Sequence, residues 1–97
     1  MSIFAVDYLY DATRTAEMDE LRPAHRRYLR AAGERGVVVL AGPSPLGPDT
    51  PAAIIFVRAE NAEQALRELD GDPFFTAGLI TERRARDYTV VVGGFAS

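Results

Sequence analysis

Cysteine is missing from this chain, and histidine occurs once, at position 25. The first absence excludes disulfides, thiol nucleophiles and thiolate metal sites; the second excludes a multi-histidine zinc site within one subunit, so no metal is expected. No apolar run is long enough to span a membrane, and the N-terminus lacks the basic and apolar regions of a secretory signal, which makes the chain's expected home cytoplasmic. Positive charge is not in excess either. A formal net charge of −3 argues against electrostatic capture of nucleic acid, which needs a concentrated basic surface. Lysine is absent, so all eleven basic residues are arginines. Two explanations stand: a GC-rich genome, whose codons favour arginine, or planar guanidinium forks set to grip carboxylate or phosphate groups.

What is there suits one domain over residues 1–97. The chain is 47% hydrophobic and 26% charged, the balance of a globular, soluble domain with one modest core.

Residues 2–10 are rich in β-branched and aromatic types. Alternation puts Phe4, Val6 and Tyr8 on one face and Ile3, Ala5 and Leu9 on the other. Asp7 interrupts the second set, as a polar contact in a cavity or a residue near an open edge. Residues 11–20 form a polar connection with room to begin coiling. A helix is expected to open at Pro23, since proline suits the first helical position, to run to about Arg35 and to end at Gly36. Steps of three, four and seven from His25 reach Tyr28, Leu29 and Ala32, so His25 faces inward from the first turn, beside the open N–H end. The imidazole is then either a buried, hydrogen-bonded core residue or a proton carrier. Arg22, next to that helix mouth, is the arginine best placed to hold an anionic group.

Residues 37–41 form a short buried strand bounded by glycine. The next ten, 42–51, hold four prolines and two glycines. They make a semi-ordered loop that either covers a site or a partner or is a tolerated insertion. Ser44 within it is a candidate hydrogen-bond donor to a pocket. Residues 52–58 give a third strand, with Ile54 and Phe56 opposite Ala53, Ile55 and Val57. Asn61 caps a second helix, Gln64 completes a capping box, and Gly71 ends it. Asp72-Pro73 then opens a short helical turn with Asp72 as its cap. Phe74 and Phe75 are packing groups, one of them a candidate pocket wall. A last strand, 80–92, is charged in its early part, which suits a sheet edge, and Gly93-Gly94 release a short tail.

The order strand, helix, strand, strand, helix, strand, with two right-handed crossovers, gives an α+β, ferredoxin-like βαββαβ domain. Its four-stranded antiparallel sheet carries both helices on one face. The first and third strands are apolar on both sides, so the uncovered face calls for a partner. A homodimer, formed by a second subunit laying its sheet against this one, is the simplest cover; a different partner protein is the alternative.

Three segments, Arg22-Pro23-Ala24-His25, Ala41-Gly42-Pro43, and Asp72-Pro73-Phe74 with Ala77-Gly78, resemble in order and spacing the YciI-like (YCII-related) family of small bacterial proteins. The resemblance implies a ferredoxin-like subunit in a dimeric α+β barrel, with an active site of a histidine and an aspartate that fall on His25 and Asp72. It also implies general acid/base chemistry of lyase, dehydrochlorinase or isomerase type on a small cyclic substrate. The proline-dense loop and the glycine-ended tail depart from the family pattern. In such a pair Asp72 fixes the imidazole tautomer, Arg22 holds an anionic group or a developing enolate, and Ser44 and Phe74 complete the pocket. Capping a helix and facing the imidazole are compatible roles for the two carboxylate oxygens. No metal and no cofactor is asked for. Two alternatives remain: a non-catalytic module that binds a metabolite or regulates a partner through the same pocket, and a purely structural dimerisation domain.

Overall fold

The computed structural model describes residues 1–94, so the end of the tail after Gly94 lies outside the described residues. Strand β1 (Ser2–Tyr10) leads into the long helix α1 (Thr15–Glu34), followed by β2 (Val38–Pro43), β3 (Ala52–Ala59), the short helices α2 (Ala62–Glu68) and α3 (Pro73–Thr76), and β4 (Ile80–Tyr88). The sheet is antiparallel in the order β2-β3-β1-β4. With the helices on one face, it has the expected ferredoxin-like α+β architecture.

Period-two alternation decides which side chains reach the helices. Phe4, Val6 and Tyr8 of β1 pair in register with Val57, Ile55 and Ala53 of β3, and all six are buried in one cluster with Ala32 of α1 and Ala65 and Leu69 at α2. Burial on this scale is the main stabilising term, each large side chain contributing about 1.5–3 kcal/mol. On the opposite face Asp7 resolves its two readings as a sheet-surface ion pair, 2.8 Å from the Arg86 guanidinium of β4. The charged strand β4 is indeed an edge.

The local signals at the helix ends were mostly legible. Asn61 accepts the Gln64 N–H at 2.8 Å and Gln64 reaches back to the Glu60 N–H, a capping box displaced by one residue. Gly36, at φ 78°, closes α1 with its N–H on the Gly33 carbonyl and that of Val37 on Ala32. This is the paired-bond ending that the left-handed region permits and that glycine adopts without strain.

Three expectations need correction. Helix α1 starts at Thr15, eight residues before Pro23, which lies inside it. The start is fixed by contacts distant in sequence: the Arg14 guanidinium donates to the carbonyls of Ala77 and Gly78, and Met18 packs with Phe74 and Leu79. These offset the hydrogen bond that an interior proline removes. The last strand stops at Tyr88 instead of 92, because Tyr88 already pairs with Ile3 near the start of β1. Strand β2 in turn runs on to Pro43, tolerated because β2 is an edge, where a missing N–H costs no ladder bond.

Candidate active site

Asp72 is the one buried charged residue among the described residues, with no solvent exposure. It sits at the N-cap of α3, where its Oδ1 accepts the Phe74 N–H at 3.0 Å. Its other neighbours come from far along the chain. His25 Nδ1 lies 2.8 Å from Oδ1 and 2.9 Å from Oδ2, and the Tyr8 hydroxyl donates to Oδ2 at 3.1 Å. Cap and histidine contact therefore coexist on one carboxyl group.

A carboxylate offers only lone pairs, so His25 must present Nδ1–H to it, and the neutral ring then keeps its lone pair on Nε2. Phe74 stacks on the imidazole, centroids 4.0 Å apart and planes within 9°. Tyr10 meets Phe74 edge-on at 5.4 Å. Among the described residues no buried side-chain nitrogen or oxygen lacks a partner. His25 Nε2 and the Tyr10 hydroxyl have none among these residues, so both are open to solvent or a ligand.

What reaches them is a cavity of about 300 Å³ between α1, α3, β2 and β3. Met18, Leu29, Ile55 and Phe74 give it apolar walls, and Pro43, Pro45 and Pro51 of the loop close one side. Arg22, His25 and Arg26 line it from α1. The loop's prolines thus wall a hollow. Ser44 does not join them: it lines a separate hollow on the other side of the sheet, with Asp7, Ile54, Glu82, Arg84 and Arg86. It follows Pro43 on a strand whose faces alternate, and its N–H is held by the Ala52 carbonyl. Nor is His25 at a helix mouth. With α1 beginning at Thr15, it and Arg22 sit well inside the helix, away from any free N–H groups.

Two tyrosines of this site were read only as strand residues. Burial, then the Asp72 charge and the hydrogen bond to it, hold the Tyr8 phenol well above its ordinary value. Burial and Asp72 do the same to Tyr10, opposed in part by Arg22. Both are therefore O–H donors at physiological pH. The signal for Tyr8 was available: a tyrosine on the core face must find a polar partner for its hydroxyl. Which partner was not.

Among the described residues no group of three or more histidine, aspartate and glutamate side chains is placed to hold a metal ion. Nor, among the described residues, is any helix long and apolar enough to cross a membrane.

The sheet order, the one-sided helices and a histidine–carboxylate contact at the edge of a cavity define a small α+β domain of ferredoxin-like plan. More narrowly, the chain belongs to the YCII-related domain family, which matches residues 3–89. A solved structure with the same fold is 5-chloro-2-hydroxyhydroquinone dehydrochlorinase from Burkholderia phenoliruptrix AC1100, in complex with 2,5-dihydroxybenzoquinone. It is similar to this chain at a TM-score of 0.74 and 17% identity, over 90% of this chain and 93% of its own. No curated protein matches in sequence.

Proposed function

We propose that this protein is a small-molecule enzyme that moves protons on a cyclic substrate, with His25 as general base or acid and Asp72 as the residue that orients it. The observation carrying this reading is the asymmetry around one imidazole: Nδ1 is held by a carboxylate with no solvent exposure, while Nε2 opens onto an apolar-walled cavity. An imidazole fixed in this way presents a lone pair to a bound molecule without having to reorganise.

In the step we propose, Nε2 takes a proton from carbon beside a carbonyl, and the C–H electron pair moves onto the carbonyl oxygen as an enolate. Arg22 holds that oxygen and the Phe74 ring supplies a flat wall. The enolate then has two outlets. Expelling a leaving group with its electron pair completes a lyase or dehydrochlorinase reaction; taking the proton back at a different carbon completes an isomerisation. The fold shared with a dehydrochlorinase holding a quinone supports this class of substrate.

The reading includes a homodimer joined through the sheet face away from the helices. Ile3, Leu9, Leu40 and Ile54 give that face apolar surface, for which a second sheet is a suitable cover.

The test is a screen of cyclic enols, lactones and chlorinated phenols. Turnover by the wild type that is lost in His25→Ala supports the reading. Binding in the cavity with no turnover of any compound overturns it in favour of a metabolite-binding module.

A further inference from the structure

We infer that the cavity takes a single-ring compound bearing a carboxylate, and that Arg26 is the residue that receives this charge. The inference rests on the reading of the His25 cavity as a binding site and goes beyond it by naming the ligand's charge and the residue that selects for it.

The argument begins with what surrounds Arg26 on its own helix. The positions three and four residues away are Arg22, Pro23, Leu29 and Arg30. Like charges four apart on a helix repel, and no acidic residue stands at either spacing to compensate. The other arginines around the two hollows are answered: Arg22 by Asp19, Arg83 by Asp70, Arg84 by Glu82 and Arg86 by Asp7. Arg26 alone among them makes no ion pair and no hydrogen bond with any described residue, although it lines the cavity one position from His25. Among the described residues no aspartate or glutamate lines that cavity, since Asp72 lies behind the imidazole. A ligand there meets an apolar hollow whose charged groups are cationic.

The rest of the lining decides which anion fits. Pro43, Pro45 and Pro51 have no N–H to offer. Apart from Arg26, the charged or hydroxyl donors in the lining are the Tyr10 hydroxyl and Arg22, the latter already paired with Asp19, so a phosphate's three strong acceptor oxygens would meet one unengaged guanidinium. A carboxylate has two oxygens, matching the planar fork of one free guanidinium. Phe74, stacked flat against His25, gives the ring its wall. The free charge of Arg26 is exposed at the outer side, so the carboxylate belongs at the mouth and the reacting carbon inward, near Nε2.

The test uses salicylate and its uncharged counterpart salicylamide, titrated at millimolar concentration and followed by NMR at the Phe74 ring and the His25 imidazole. Salicylate is expected to shift both signals and to bind about tenfold more weakly to Arg26→Gln, the loss of one charge-assisted contact, with partial recovery in Arg26→Lys. Added salt should weaken salicylate binding and leave salicylamide unaffected. Equal affinity of the two compounds for the wild type, unchanged salicylate binding in Arg26→Gln, or no shift at Phe74 overturns the inference. His25→Gln separates it from the catalytic reading. Arg26-dependent binding with no turnover of ring carboxylates refutes the chemistry and keeps the charge selection; His25-dependent turnover with Arg26-independent binding does the reverse.

Discussion

Replacing Asp72 with asparagine tests the orienting role at constant shape. The carboxylate takes three donors, from His25, Tyr8 and the Phe74 backbone. The amide oxygen will keep the Phe74 N–H, because asparagine caps helices about as well as aspartate. Its NH₂ group then occupies the Oδ2 position, 2.9 Å from His25 Nδ1 and 3.1 Å from the Tyr8 hydroxyl. The amide oxygen also lies 2.8 Å from Nδ1 and can accept its hydrogen, but the NH₂ group 2.9 Å away now favours a lone pair there, so the imidazole divides between its two tautomers. Charge-assisted bonds contribute about 1.5–3 kcal/mol each, and a neutral amide is easier to bury than a carboxylate. The net loss should be about 1–2 kcal/mol, a fall in melting temperature on the order of 10 °C for a domain of this size. Activity should fall about 10-fold or more, since rings that carry the hydrogen on Nε2 have no lone pair there for the base. Nitrogen-15 spectra of the single histidine read the tautomer directly. A folded Asp72→Asn protein that keeps Nδ1–H and full turnover refutes the reasoning.

Three further outcomes follow from the packing. Tyr8 and Tyr10 hold their protons above the ordinary value of 10.0 in the folded state, so above pH 10 the unfolded chain gives up protons that the native one retains. Stability is then fully present below pH 10 and falls as pH rises, by about 1.4 kcal/mol per pH unit for Tyr8 and less for the partly exposed Tyr10; alkaline denaturation of Tyr8→Phe should show a shallower slope. Gly71→Ala places a methyl group 2.9 Å from the Tyr28 ring, which is anchored by its 2.6 Å bond to the Glu68 carbonyl. A cost of about 1–3 kcal/mol in denaturant unfolding is expected, relieved in the double variant with Tyr28→Ala. Ile54→Arg, on the open sheet face, tests the proposed homodimer: the wild type should sediment as a dimer and the variant as a monomer, with no loss of helical signal in circular dichroism.

How much of this was legible depended on the range of the interactions. Asn61 with Gln64, Gly36, and Asp72 before Pro73 are signals that act within a few residues, and each was readable. Alternation in β1 grouped Phe4, Val6 and Tyr8 on one face, but with both faces apolar it did not say which of the two meets the helices. The start of α1 was not readable: Pro23 is a good first residue by local rules, and what outweighs it is Arg14 reaching across to Ala77 and Gly78. The family resemblance linked His25 with Asp72, but nothing local placed Tyr8 on the same carboxylate or turned Ser44 to the far side of the sheet. Those facts belong to the packing of strands on helices.

The most direct measurement follows hydrogen exchange at carbon. Cyclic ketones bearing a carboxylate are incubated in deuterated water with the protein, and deuterium uptake beside the carbonyl is followed by NMR. The wild type should catalyse uptake, and His25→Gln should fall to the uncatalysed rate while still binding the ketone. Uptake at the same rate with both proteins would mean that His25 is not the group that moves the proton.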